Sequence, residues 1–293
     1  MNKKIWIAAL VIFALIAVFL VLKIKGNSAA SSVAGSKGAV TAKVKKISTP
    51  SRVKSYSGSG FTMSDLLSQV KEFQAEGNLV DAKAVYQKLV VEFSNSADVM
   101  NWQKMIEEIN IKLLFSPIVT SNSVLYEIKP GDALIKIANK FKTTADLIKK
   151  SNNLTSDKIV PGRKIKVITV PFNIFVDKSQ NILILKSGEE ILKTYIVSTG
   201  KNNSTPVGNF KIVNKLPNPT WFKNGAVIPA DSPENILGTR WLGLDLASYG
   251  IHGTTEPESL GKQATQGCVR MANFEVEELY TIVPEGTEVV IVD

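Results

Sequence analysis

Ile5 to Leu22 is an unbroken apolar run of 18 residues, with Lys3 and Lys4 before it and Lys23 and Lys25 after it. A run of that length is at the lower limit of what crosses a bilayer as a helix. A cleaved secretory signal has a shorter apolar core, about 7–15 residues, with a small-residue cleavage site close behind it. Here two lysines intervene before Ser28-Ala29-Ala30, so an uncleaved transmembrane anchor over residues 1–25 is expected. Lysines on both flanks leave its orientation open.

The formal charge of +9 suggests a nucleic-acid footprint until it is located. Ten Lys and Arg residues precede the first acidic residue, Asp65, and the remaining 25 basic residues face 26 acidic ones. The basicity therefore belongs to the N-terminal segment and not to the folded part. Residues 26–60 are rich in Ser, Ala, Gly, Val and Lys and hold few large apolar side chains. Such a segment cannot bury enough surface to offset its ordering entropy, and is expected as a flexible basic tether attracted to anionic lipid or wall polymer. Between Lys23 and Tyr56 no aromatic residue is interleaved with the charges, which argues against nucleic acid as a partner.

Residues 61–116 read as helical. Thr62-x-x-Asp65 forms a capping box before Leu66, Leu67, Val70 and Phe73, and Gly77 closes that helix. Two more helices are expected, over Leu79–Phe93 and Ala97–Leu114. The segment from Ala75 to Ser96 resembles one helix-turn-helix unit of the tetratricopeptide class. One such unit cannot form a solenoid, so a spacer and a protein-binding surface are equally good readings.

From Val124 to Thr169 the pattern is a short strand, helices near Ala133–Phe141 and Thr144–Ser151, and a strand after Pro161-Gly162. Tyr126, Pro130-Gly131-Asp132, Leu134, Ile137-Ala138, Asn152-Asn153-Leu154 and Pro161-Gly162 resemble the LysM module, a βααβ fold that binds glycans containing N-acetylglucosamine. The resemblance implies a module over 124–169 with Gly131, Asp132, Ala133, Asn152 and Asn153 facing the glycan. Ala133 stands where the family usually carries Thr or Ser.

The remainder is strand-rich, with a hairpin over Asn173–Gly188 and further strands at Lys193–Ser198, Gly208–Asn214, Gly250-Ile251 and Thr287–Val292. One helix, from Phe274 to Val283, interrupts them. A β-sandwich-like core with a cleft at its edge is expected.

The chain holds one cysteine and one histidine, sixteen residues apart. A lone cysteine is often a small buried hydrophobe, and a lone histidine is often merely packed. Here His252 is followed by Gly253 and Cys268 is preceded by Gly267, so the backbone can approach closely at both. Arg270 lies two residues beyond the thiol and a helix begins soon after, which together favour a thiolate. One thiol allows no internal disulfide, and its lack of a partner suits a reactive group better than a structural one.

His252-Gly253, a spacer of about a dozen residues, then Thr265-Gln266-Gly267-Cys268-Val269-Arg270 resembles the signature of the L,D-transpeptidase (YkuD-like) catalytic domain. Thr205, Pro206 and Gly208 match a second element of that family, and Glu234–Leu244 resembles the strand leading to the histidine. The likeness covers 171–293. Together with the apolar run, the helical segment and the LysM resemblance, it points to a multidomain envelope protein with a transmembrane helix, a helical hairpin segment, a βααβ LysM module and a mainly-β catalytic domain.

It further implies that Cys268 attacks a peptidoglycan stem peptide and that His252 is the base, oriented by the Gly253 carbonyl. Backbone N–H groups around Gln266–Cys268 would form the oxyanion hole. Arg270 would hold the loop, bind a substrate carboxylate or form an ordinary salt bridge. Many relatives carry His where this chain has Gln266. No metal and no cofactor are implied, since one His and one Cys fall short of a zinc site. The expected product is a 3→3 cross-link or another amine adduct, made outside the cytoplasm of a bacterial cell by a protein anchored in the inner membrane. An L,D-carboxypeptidase using water, or a catalytically silent peptidoglycan-binding protein, remains the alternative.

Overall fold

A computed structural model describes residues 60–223 and 225–293. The expected anchor at 1–25 and the basic tether, apart from Gly60, lie outside the described residues. Among the described residues no helix is long and apolar enough to cross a membrane. The chain divides into Met1–Leu66 and Leu67–Asp293. In the first unit the capping box forms as expected: Asp65 Oδ2 accepts from Thr62 N at 2.9 Å, and Thr62 Oγ1 accepts from Asp65 N at 3.2 Å. It opens helix α1, Met63–Ala75.

In the second unit Gly77 takes φ +70°, a left-handed value open to glycine, and the chain turns into α2, Leu79–Glu92. Asn78 caps this helix by accepting from Asp81 N. Helix α3, Val99–Leu114, packs antiparallel-hairpin fashion on α2 and buries Trp102, Ile109 and Leu113. Strand β1, Ser123–Glu127, pairs antiparallel with β2, Lys164–Ile168. Between them lie α4, Leu134–Phe141, and α5, Ala145–Ser151, which completes the expected βααβ module. Ile128, Leu134, Ile137, Ile148 and Ile165 form its own small core.

That module is not a separate bead. Leu147 of α5 and Ile168 of β2 enter the large core of the following domain, together with Leu114 of α3. Lys166 is 1% exposed, and its Nζ donates to Leu113 O at 2.7 Å and Ser116 O at 3.0 Å, closing the C-terminus of α3. Burial pulls this lysine down to about 8.

The C-terminal part opens with β3 (Phe172–Asp177), β4 (Ile182–Ser187) and β5 (Glu190–Ile196), a meander whose first hairpin lies where alternation placed it. There follow β6 (Thr199–Gly200), β7 (Gly208–Pro217), the small hairpin β8 (Trp221–Lys223) and β9 (Ala226–Ile228), and β10 (Arg240–Leu244). The chain continues through β11 (Gly250–His252), β12 (Gln263–Thr265), β13 (Val269–Arg270), helix α6 (Asn273–Ile282) and β14 (Glu288–Val292).

Instead of two separate layers, eight strands form one continuous sheet in the order β13-β11-β10-β7-β14-β3-β4-β5. Strand β7 joins its halves: Gly208–Lys211 pair with β14, while Ile212–Pro217 pair with β10. A single long strand shared by two half-sheets can bend the whole around one core. Leu183, Val289, Leu242, Ile251, Val269 and Leu279 of α6 meet there.

An uncovered edge strand invites pairing with other chains. Here β5 is covered by α3: Asn110 Nδ2 donates to Ile191 O at 3.0 Å and Leu192 O at 3.3 Å, and Thr194 N donates to Glu107 Oε1 at 3.1 Å. The helical segment is therefore part of the folded body, and not only a spacer.

Candidate active site

Strand pairing brings the single histidine and the single cysteine together. β11 and β13 run parallel, with Ile251 opposite Val269 and His252 opposite Arg270. Ile251 and Val269 enter the core, so alternation turns His252 and Arg270 to the other face. Cys268 immediately precedes β13. Its Sγ donates to Ser248 O at 3.5 Å, and the Gly250 backbone N–H faces the thiol from β11.

His252 is 2% exposed, and its Nδ1 lies 2.7 Å from Gly253 O. A carbonyl can only accept, so Nδ1 carries the proton and Nε2 is the basic nitrogen. Trp241, opposite His252 on β10, stacks on the imidazole with centroids 6.0 Å apart and planes 18° apart. The indole fits because Gly250 has no side chain: a Cβ there would stand 2.6 Å from the Trp241 ring.

Burial dominates the electrostatics. It pulls His252 down to about 4, with the Arg270 charge adding to the fall and the Gly253 and Leu237 backbone opposing it. Burial also pushes the Cys268 thiol up, against the smaller lowering effects of Gly250 and Arg270. The expectation of a preformed thiolate is thus corrected. At neutral pH the pair rests as thiol and neutral imidazole.

The cysteine loop is set by Thr265. Its Oγ1 donates to Cys268 O at 2.7 Å and accepts from Gly267 N at 3.1 Å. Gly267 is therefore no oxyanion donor, because its N–H is already used. Among the described residues the Cys268 N–H has no acceptor. Gly267 adopts φ +137°, and a Cβ there would lie 2.7 Å from Tyr249. Gln266 is exposed. Thr205, from the second family element, holds Gly200 N through its Oγ1 at 2.7 Å.

Arg270 is 4% exposed, and its Nη1 donates to Glu256 Oε2 and Ser259 Oγ at 2.7 and 3.0 Å. The salt bridge braces the loop after β11, while Nε is buried without a hydrogen-bond partner among the described residues. Asn273 escaped the sequence reading as a site residue. Its Oδ1 accepts from Thr239 N and Thr254 N at 3.3 and 2.9 Å, and its Nδ2 donates to Thr254 O at 2.8 Å. Gly238 and Gly253 leave room for it, since a Cβ on either would lie 2.2 Å from Asn273 Oδ1. Asn273 thus clamps the segment whose carbonyl holds His252.

In the βααβ module, Gly131 and Asn153 are exposed with φ +84° and +53°. Asp132 accepts from Lys129 N and Tyr126 OH, both at 2.8 Å, and these bonds hold its carboxyl below the usual range. Ala133 caps α4 without a side-chain bond. Asn152 is the exception among the expected glycan residues. Its Nδ2 donates to Ile148 O and Lys166 O, and its Oδ1 accepts from Lys166 N, so the amide is used internally to tie α5 to β2.

Residues 171–291 match the family model of the L,D-transpeptidase catalytic domain, and residues 126–167 match that of the LysM domain. YkuD of Bacillus licheniformis, a protein named as an L,D-transpeptidase, is 37% identical over 174 residues, which cover 57% of this chain and 97% of that protein. The Bacillus subtilis protein of the same name is 35% identical over 173 residues, covering 57% of this chain and 97% of its own length. YqjB of Bacillus subtilis, also named as an L,D-transpeptidase, is 40% identical over 126 residues, covering 41% of this chain and 70% of its own.

Proposed function

Since the chain belongs to the YkuD family of L,D-transpeptidases and carries a LysM domain ahead of the catalytic one, we propose that it remodels peptidoglycan cross-links through a thioester on Cys268. The observation that carries this reading is that the only thiol in the sequence, at the residue before β13, faces the Gly250 N–H of β11, the paired strand that carries the only imidazole, whose Nδ1 is tied to Gly253 O.

The donor is a tetrapeptide stem. Cys268 Sγ attacks the carbonyl of its third residue as His252 Nε2 takes the thiol proton. The Cys268 N–H is the best-supported donor to the developing oxyanion. Collapse of the tetrahedral adduct breaks the bond to D-Ala, and His252 returns the proton to the departing amine. An amine on the third residue of another stem then attacks the thioester, giving a 3→3 cross-link and restoring the thiol. The neutral resting pair suits this cycle, because the imidazole is free to accept at the moment of attack.

The LysM domain holds the enzyme on glycan through the exposed Gly131 and Asn153 and the half-buried Asp132 and Ala133 beside Gly131. The apolar run at 5–22 anchors the body in the membrane of the cell envelope, with the catalytic domain outside the cytoplasm. Incubation of purified protein with wall digests, read by mass spectrometry, tests the reaction. Cross-linked dimers with loss of D-Ala support the transferase. Loss of D-Ala without dimers shows water as acceptor, and neither change shows a silent protein.

A further inference from the structure

A cleft of about 450 Å³ lies between the LysM domain and the catalytic domain, lined by Asp146 and Lys150 of α5, Arg240 of β10, and Phe274, Glu277 and Tyr280 of α6, among others. That volume is in the range of small-ligand sites. It does not belong to the site at Cys268: Arg240 precedes Trp241 on β10, so alternation turns it to the opposite face of the sheet. Both domains contribute, and both are fixed. Leu147 of α5 is buried in the common core, and Lys215 Nζ donates to Tyr280 O and Val283 O at the end of α6 at 2.6 and 2.8 Å.

The lining is amphoteric. Among the described residues neither Arg240 nor Glu277 has an ion-pair partner, whereas Glu278 is occupied by Lys193 and Tyr195. Phe274 stands 70% exposed at the start of α6 and offers an apolar ring to the cleft. Two cations, Arg240 and Lys150, one anion, Glu277, and an apolar platform suit a short peptide that carries carboxylates and an amine.

The position of the cleft narrows the choice further. Asp146 and Lys150 share one face of α5, and the exposed Asn153 follows just beyond the end of that helix. From Asp146 to Asn153 the distance is about 10 Å at the helical rise. An extended tetrapeptide spans about 13 Å. We propose that the cleft binds the stem peptide of the glycan strand held by the LysM domain, a second stem site distinct from the one at Cys268. This rests on the peptidoglycan reading given above. Two stem sites on one rigid body would let the enzyme work beside the strand to which it is attached.

The test uses the full chain carrying Cys268→Ala, so turnover plays no part, and measures affinity by calorimetry for three probes: a disaccharide-tetrapeptide with a diamino acid at position three, the free tetrapeptide, and a chitin oligomer. Arg240→Gln and Glu277→Gln are each added to that background. Each should weaken both stem-bearing probes about tenfold, the effect of losing one charge-assisted contact, and leave the chitin oligomer unchanged. An unchanged thermal midpoint guards against misfolding. Stem affinities unaltered by both substitutions would overturn the proposal. Absence of chitin binding would count against the glycan reading alone, since the free tetrapeptide still decides the cleft. Failure of the wild-type protein to release D-Ala would count against the chemistry alone.

Discussion

Asn273 Oδ1 lies 2.9 Å from the backbone nitrogen of Thr254, immediately after the glycine whose carbonyl holds the His252 ring. The His252 ring is therefore positioned at one remove by a side chain on a different element, the start of α6.

Asn273→Ala would leave the N–H groups of Thr239 and Thr254 without an acceptor, at a cost of about 1–3 kcal/mol each if they stay buried. We expect a lower melting temperature and a kcat reduced about tenfold or more, with KM less affected. Asn273→Asp keeps the acceptor oxygen and loses the bond to Thr254 O. It should recover part of both losses. Equal damage from the two substitutions would mean that the clamp acts only through volume.

Cys268→Ala should abolish release of D-Ala and all acyl-enzyme seen by intact-protein mass spectrometry. His252→Ala should slow release by about 10²–10⁴ and slow alkylation of Cys268 by iodoacetamide. A Cys268→Ala protein that still released D-Ala would sink the thioester mechanism.

Burial makes the pH response one-sided. With the thiol raised and the imidazole at about 4, alkylation of Cys268 should climb steadily above neutrality, without an acidic plateau. Stability should behave in the opposite sense at low pH. The unfolded chain takes up a proton on His252 near 6.5, while the folded chain refuses it until about 4. The contribution is fully present above 6.5 and is lost as the pH falls to about 4, amounting to roughly 3 kcal/mol. Urea titrations between pH 7 and 4 should show a shallower decline for His252→Gln than for the wild type.

The family resemblance points to carbapenems as β-lactams that suit such clefts. Residues 60–293 incubated with a carbapenem should gain one drug mass on the peptide containing Cys268. Gln266→His is informative because Gln266 is exposed and the thiol lies nearby. An unchanged acylation rate would mark Gln266 as tolerated. Uptake by the variant and none by the wild type would show a silent enzyme.

Removal of residues 1–116 should harm the catalytic domain, although it leaves every residue of the site. The truncation strips Asn110 and Glu107 from the edge of β5 and deprives Lys166 of its two carbonyls. Static light scattering should show association of 117–293 under conditions where 60–293 stays monodisperse, and its melting temperature should be lower.

Much of the molecule is written locally in the chain. Capping at Thr62 and Asp65, alternation across the β3–β4 hairpin and the LysM turns each depend on neighbours a few residues apart. The pair at 252 and 268 was legible because no rival residue existed. Long-range partnerships were not. Nothing near Arg270 announces Glu256, and Asn110 reads as a polar blemish in an apolar helix until Ile191 and Leu192 are seen beside it. The thiolate expectation counted charge and the nearby helix but had no means of counting burial, which proved the larger effect. The β8–β9 hairpin was missed because its strands have only three residues each.

Strand β14 comes after every other strand in chain order, yet it lies between β7 and β3 in the middle of the sheet. It is the piece that joins the meander to the half carrying His252 and Cys268. A chain delivered from its N-terminus would present two unfinished half-sheets until residues 288–292 arrive. The pairing that closes them spans more than a hundred residues, a separation that makes folding slow and exposes apolar surface in the interval. The strands that carry His252 and lead from Cys268 would then reach their final arrangement only at the close of assembly.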